Sequence, residues 1–268
     1  MGQVVHSLPE GEAVWGVTLL ADEVYVLRDK ERDQVEVYEV INYCLQRRLT
    51  VPNIRALTDM TSCEHYLCVY IADLGDECIH RLDVQGAFTQ WAVNDKPVGI
   101  SVNAAHINVL VTCNEVRKIK EFSSHGDLLR ELTLPDDFFN PWHAIQIPNG
   151  EFIVCHDGDA VHRVCKISAD GRHIIIKSHG GLPGSGQYCG PRHLAVDNNE
   201  FVFVADFYNR RVTLLSPTLD YIGQVVSGDD LNRMPERLCR DNHRRRLYVA
   251  ENEHESPHAT GRVVVFNV

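Results

Sequence analysis

The chain of 268 residues has no apolar run approaching the roughly 18–20 residues a helix needs to cross a bilayer, which excludes a helical membrane span. Its opening residues, MGQVVHSLPEG, lack the basic and apolar regions of a secretory leader. His6 stands where a myristoylation signal wants Ser or Thr. There is no Asn-x-Ser/Thr acceptor, and no two of the nine cysteines stand in a CxxC pair, so neither a glycosylated surface nor a zinc or redox motif is indicated. Cys68, Cys113, Cys155 and Cys165 lie inside strand-like runs, as buried thiols in a reducing compartment would. The expectation is a soluble, cytoplasmic chain without membrane contact. GxSxG, HExxH and Cys–His signatures are absent too, so catalysis has no sequence signal. Positive charge is scarce: 26 Lys and Arg against 37 Asp and Glu leave a net charge of −11, which opposes binding to a phosphate backbone.

A repeat is present, at a period near the 40–45 residues of propeller blades. Residues 190–226, GPRHLAVDNNEFVFVADFYNRRVTLLSPTLDYIGQVV, read as four strands (LAVD, FVFVAD, RRVTLLS, YIGQVV) separated by turn-rich DNN, YN and SPTLD. The same order recurs in 14–51, 54–93, 97–134 and 141–178. Unit starts fall near 14, 54, 97, 141, 191 and 235, and the last unit stops one strand short. Residues 2–8, GQVVHSL, have the length and alternation to supply it. Pairing them with the last blade would close the ring and remove its edges. The fold class expected is all-β: a six-bladed β-propeller forming a single domain over 1–268.

PRHLAVD and FVFVADFYNRRVTLLS resemble the NHL repeat, echoed in VYIADLGDECIHRLD of blade two and LYVAEN of blade six. The resemblance covers nearly the whole chain, most loosely in blades one, three and four. It is closest to the NHL domains of tripartite-motif proteins, and implies binding of proteins or RNA. Related propellers include the lyase domain of the peptide-amidating enzyme and calcium-dependent lactonases. In such folds one mouth of the channel is lined by first-strand starts and second-strand ends.

Across the blades the strand-start position reads Trp15, Arg55, Val98, Trp142, Arg192 and Glu236; the next reads Gly16, Ala56, Gly99, His143, His193 and Arg237. Trp and Arg are enriched at binding hot spots, and a concave mouth with convergent polar groups is the default ligand site. Trp15, Arg55, Trp142, His143, Arg192, His193, Glu236 and Arg237 are therefore the candidate binding residues. The amidating lyase places its metal-binding histidines directly after the Pro. His143 and His193 come one residue later and, in a regular strand, should face the other way, and zinc wants a third protein ligand. Asp73, Asp206 and Glu251, with Asp157, could ring the channel and hold calcium, against a reading in which each Asp fixes its own turn. No cofactor is expected.

Four loops complete the inventory. RDNHRRR (240–246) and KERD (30–33) read as charged hairpin tips, and GGLPGSGQ (180–187) as a flexible inter-blade loop. SPHATG (256–261) reads as an overhang at the mouth. The expected function is non-catalytic binding of a protein segment or small ligand at the channel mouth. The alternatives are a propeller enzyme, a metal-assisted lyase or hydrolase, and an RNA-binding domain relying on Arg55, Arg192 and Arg237.

Overall fold

The computed structural model describes residues 2–29, 34–158, 161–179, 187–253 and 259–268. These form six antiparallel sheets arranged as the blades of a β-propeller. Blade one comprises Val14–Leu20, Glu23–Arg28, Gln34–Glu39 and Leu45–Thr50; blade two, Leu57–Cys63, Cys68–Asp73, Cys78–Asp83 and Phe88–Ala92. Blade three comprises Pro97–Val102, Val109–Cys113, Lys118–Phe122 and Leu128–Thr133; blade four, Pro141–Gln146, Phe152–Gly158, Val161–Ile167 and Ile174–Ser178. Blade five comprises Pro191–Val196, Val202–Asp206, Arg211–Leu215 and Tyr221–Val226. Blade six has Met234–Asp241, Arg246–Asn252 and Thr260–Asn267, and its outer strand is the N-terminal Gln3–Ser7. The inserts KERD and residues 180–186 and 254–258 lie outside the described residues; of the SPHATG overhang, Thr260 and Gly261 open the third strand of blade six.

Burial explains the strand types. Second strands pack on both faces against neighbouring blades, so their centres are continuous apolar runs, as in CVYIAD of blade two, where every residue is buried. Outer strands alternate, as in LQRRLT of blade one. The core lies between blades, one cluster to each interface: Val26, Tyr38, Tyr248 and Val265 join blades one and six, and Phe203, Leu238, Val249 and Phe266 join five and six.

Closure uses three devices. Gln3–Ser7 pairs antiparallel with the third strand of blade six, Gln3 opposite Asn267 and Ser7 opposite Val264, as expected from the sequence. Asn252 of blade six clasps Val14 of blade one, its Oδ1 accepting the Val14 amide at 2.8 Å and its Nδ2 donating to the Val14 carbonyl at 2.9 Å. Arg28 donates to the carbonyls of Pro9 (2.7 Å), Glu12 (3.0 Å) and Gly261 (3.2 Å), fastening the incoming strap to the last blade.

Every first strand carries a β-bulge at the same level. Pro141 pairs with His156 and His143 with Cys155, leaving Trp142 as the extra residue. Trp15, Thr58, Val98, Arg192 and Glu236 are the extra residues of the other blades. The residue after each bulge forms an in-register ring: Gly16, Asp59, Gly99, His143, His193 and Arg237. Two corrections follow. Blade two starts its first strand at Leu57, so its ring residue is Asp59, and Arg55 and Ala56 belong to the preceding loop. And because a bulge re-aims the side chains around it, His143 and His193 do not face away from the axis; their rings stack on each other with centroids 3.8 Å apart.

The two ring glycines are steric requirements. A Cβ on Gly99 would lie 2.2 Å from the Trp142 carbonyl oxygen, and one on Gly16 would lie 2.5 Å from the Met60 Cβ. Gly99→Ala should lower unfolding free energy by about 3 kcal/mol, because a backbone atom of the next blade cannot move aside. Gly223→Ala, with nothing within 4 Å of its added Cβ, should be neutral or stabilising by about 0.5 kcal/mol. Urea midpoints of the two variants check this, and equal midpoints would refute the steric account.

Candidate functional site

The in-register ring places four functional side chains on the axis, each from a different blade. Asp59, 1% exposed, is the hub. Its Oδ1 forms an ion pair with Arg237, 3.0 Å from Nε, and accepts the Met60 amide at 2.9 Å; its Oδ2 accepts the Ile100 amide at 2.9 Å and faces His193 Nε2 at 3.5 Å. His143 Nε2 stands 3.9 Å from the same Oδ2. Burial would raise the Asp59 pKa, but electrostatic interaction with His193 and with the Arg237 guanidinium outweighs it and holds the carboxyl down at about 2. Burial, then the neighbouring His193, push the His143 imidazole down to about 3, so it is neutral at physiological pH.

The hydrogen-bond partners fix the tautomers. The Ile100 carbonyl, an acceptor, lies 3.3 Å from His143 Nε2, so that nitrogen carries the proton and Nδ1 is left as a buried lone pair without a partner. The Leu238 amide donates to His193 Nδ1 at 3.3 Å, so the proton of His193 sits on Nε2, toward Asp59. Asp59, His143 and His193 have the proximity of a metal site. Their protons do not fit one. A histidine ligand donates its other ring N–H to an acceptor, whereas the other nitrogen of His193 already receives an N–H. Arg237 further occupies the carboxylate. Zinc's third protein ligand is therefore not provided.

A charge chain runs from this hub to the mouth at the strand starts. Arg237 Nη1 donates to the Glu236 carbonyl at 2.8 Å and lies 3.1 Å from Glu236 Oε2, and its Nη2 donates to the Thr58 carbonyl. Glu236, fully buried, faces Arg192 Nη1 at 3.5 Å. The Arg192 guanidinium stacks between the rings of Phe207 (4.0 Å) and Trp142 (4.6 Å), and the Trp142 indole N–H donates to Asp157 at 2.9 Å. Trp142, Arg192, Glu236 and Arg237 are thus adjacent, as the sequence reading supposed, but they bind one another. Trp15 packs separately, against the core between blades one and two. Arg55 is exposed and pairs with Asp76 at 3.0 Å, away from this group.

The three acids considered for calcium fix local structure instead. Asp73 accepts the amides of Arg55, Ala56 and Gly75 and meets His80 Nε2 at 3.2 Å. Asp206 accepts the Cys189 amide and Arg211 Nε (2.6 Å), and Glu251 accepts the Arg233 amide and Arg262 Nε (2.6 Å). Arg28, Cys113 and His156 occupy the equivalent places in blades one, three and four, so no acidic ring exists among the described residues. Cys78 stands beside Asp73 and His80, its Sγ 3.4 Å from His80 Nε2, and burial pushes its thiol up to about 12.

The cavity opens on the opposite face. A space of about 360 Å³ lies on the axis, with His143 and His193 among its lining residues and walls of Val17, Met60, Ile100, Ile145, Leu194 and Leu238. It extends to the inner hairpins of blades three to six through Asn103, Pro148, Asn198 and Asn242. The candidate binding residues read from the sequence lie toward the other mouth. RDNHRRR, read there as a charged hairpin tip, contributes Arg240 and Asn242 to the lining of this cavity. The run offers little open positive charge: Arg240 lies over the Phe203 ring, Arg244 pairs with Asp22 and Asp241, and Arg246 donates to Tyr43.

Two predictions follow. Asp59→Ala, which strands the buried Arg237 guanidinium, should cost about 3–5 kcal/mol of unfolding free energy, with much of the loss recovered in Asp59→Ala/Arg237→Met. A single-variant loss below about 1 kcal/mol would remove Asp59 as the hub. Stability should also fall between pH 7.5 and 5. His143 and His156, the latter held at about 4 mainly by burial, have folded pKa values below the ordinary 6.5. Their contribution is complete above 6.5 and declines toward 3–4, a loss of about 2 kcal/mol each at pH 5. Asp59 and Asp73, both near 2, lose their contribution only below about 4 and are silent in this window. Chemical denaturation at the two pH values, with His156→Phe flattening the dependence, checks the sign.

No family model and no curated protein matches the chain. Solved structures similar to it include virginiamycin B lyase from Staphylococcus aureus (TM-score 0.65, 12% identity, 95% of this chain and 87% of that one). A streptogramin B lyase aligns with a TM-score of 0.66 and 12% identity over 97% and 98% of the two chains. Kuenenia stuttgartiensis hydrazine synthase aligns at 0.66 and 13% over 98% of each. At these identities the likeness shows the fold alone: the chain is a six-bladed β-propeller.

Proposed function

We propose that the protein is a non-catalytic binding propeller of the NHL type, and that it receives a small, uncharged, largely apolar molecule in the axial cavity. The observation that carries this reading is the cavity itself, within the size range of ligand sites, with aliphatic side chains around the axis and Asp197, Glu200 and Arg240 among its polar lining. Its polar lining is largely engaged already: Ser101 donates to the Ala144 carbonyl, Gln146 to Gly150, and Asn103 to Glu121. The buried lone pair of His143 Nδ1 is an acceptor still open. A ligand with one N–H or O–H donor matches that inventory, whereas an anionic ligand at the other mouth would find Arg192 and Arg237 already paired with Glu236 and Asp59. The nine free thiols agree with a reducing, cytoplasmic setting.

An enzyme reading draws on the lyase neighbours, one of them a catalytically inactive His-to-Ala variant with quinupristin. In this chain the axial histidines are tied to Ile100 and Leu238, which supports binding over catalysis. RNA binding is further disfavoured by Arg55 standing apart from Arg192 and Arg237.

Indole and 1-methylindole are suitable probes, since they differ in the N–H donor. Indole should saturate cavity resonances in NMR titration, 1-methylindole should bind about tenfold more weakly, and Val102→Trp, which fills the cavity, should abolish both. Shifts confined to Trp142 and Tyr208, or indifference to Val102→Trp, would move the site to the other mouth.

A further inference from the structure

Two thiols away from the axis face each other across the inner hairpin of blade two. Cys63 ends the first strand, Cys68 begins the second, and the two are register partners; no other two cysteines are partners among the described strands. Directly opposed residues of an antiparallel pair have Cα atoms about 4.5–5.5 Å apart, inside the roughly 4.4–6.8 Å that a disulfide spans. Both side chains are buried, at 1% and 0%, yet they flank the turn 64–67, whose Glu64, His65 and Leu67 are exposed. Opening that one turn brings Cys63 to solvent.

The chemistry of the pair is asymmetric. Burial pushes the thiols of Cys78, Cys113, Cys165 and Cys239 up to about 12. Cys63 is instead held down, chiefly by its hydrogen bond with the Cys68 thiol, against its burial and with help from the Tyr66 and His65 amides. Cys68 is pushed up, chiefly by that same hydrogen bond and by burial, and stands beside the Tyr70 hydroxyl and the Arg81 guanidinium. One nucleophilic sulfur and one resolving sulfur are thus already opposed. In the resting reduced pair Cys63 is the thiol and donates to the His106 carbonyl at 3.0 Å, its thiolate forming only as that bond opens; His106 sits in the inner hairpin of blade three and lines the axial cavity.

We propose that Cys63 and Cys68 form a reversible disulfide, an oxidant-responsive modification site whose closure unfastens the blade-three hairpin from blade two. With glutathione disulfide as oxidant, the Cys63 thiolate attacks one glutathione sulfur and expels a glutathione thiolate. The Cys68 thiolate then attacks Cys63 Sγ and expels the second. Two protein thiols become one disulfide, one glutathione disulfide becomes two glutathione molecules, and the two thiol protons end on them. The disulfide has no S–H, so the bond to the His106 carbonyl is lost, with the cavity rim as its neighbour.

The test is peptide mapping of the folded protein, acid-quenched and alkylated after equilibration in glutathione buffers from fully reduced to fully oxidised. A Cys63–Cys68 linkage within single chains should appear and saturate, while exposed Cys44 shows only a mixed disulfide. Cys68→Ser should trap glutathione on Cys63, and Cys63→Ser should leave Cys68 unmodified. Amides of residues 106–108 should exchange about tenfold faster in the oxidised protein, as for one lost hydrogen bond. Reduced Cys63 and Cys68 beside a glutathionylated Cys44, or a wild-type Cys63 that stops at the mixed disulfide, would overturn the proposal. Linkage without faster exchange would overturn its coupling to the hairpin.

Discussion

The ring depends on one desolvated carboxylate. Asp59 carries its charge at 1% exposure, where an unpaired ion would cost several kcal/mol, and every partner that offsets this comes from the axis. Met60 belongs to its own blade, Ile100 to blade three, His143 to four, His193 to five and Arg237 to six. Blade one contributes by absence: Gly16 leaves the room in which Met60 sits. A propeller of six identical blades could not be built this way, because six like charges or six large side chains cannot converge on one axis. Two glycines, one acid, one arginine and two histidines can, since the glycines vacate the volume the others occupy.

From that constraint the two faces acquire different characters. Toward the strand starts, the alternation Asp59, Arg237, Glu236, Arg192 carries charge outward in compensating pairs and ends on the Trp142 and Phe207 rings. Each group there has a partner of opposite sign or a π face, which makes that mouth stiff and nearly neutral. Toward the inner hairpins, the same layer presents the neutral imidazole of His143 to a cavity with aliphatic walls. The charged and aromatic groups that stood out in the sequence are bound to one another beneath that cavity.

The blades were legible because their signal is local. Alternation, turn residues and a repeating strand order each depend on a few neighbouring residues, so six units and the closing strand at 3–7 could be read directly. The axis was less legible, for two physical reasons. A bulge reverses facing without any change of residue type, so His143 and His193 read as misdirected by a rule that assumes a regular strand. And in blade two Pro52 lies in a turn, with Asn53 at a φ of 64°, whereas Pro97, Pro141, Pro191 and Pro235 stand at the position taken by Leu57. With no proline at that place, starting the blade at Ile54 shifted it by three residues, selecting Arg55 and hiding Asp59. A better anchor was present. Asp73 follows Leu57 by sixteen residues, as Cys113 follows Pro97 and Glu251 follows Pro235, so counting back from the second-strand ends recovers the ring.

Stability and binding meet in the same side chains, which limits how this site can vary. Replacing His143 by a residue without a ring nitrogen would remove its unpartnered Nδ1, and also the donor to Ile100 and the stack on His193. Replacing an aliphatic wall residue such as Ile145 or Leu194 touches only the cavity and the inter-blade core behind it. The floor is therefore held by the network under it, while the walls are free to differ wherever packing volume is kept. On that division the size and shape of the cavity are set by the first strands of individual blades, and the polarity of its floor by the axial layer as a unit.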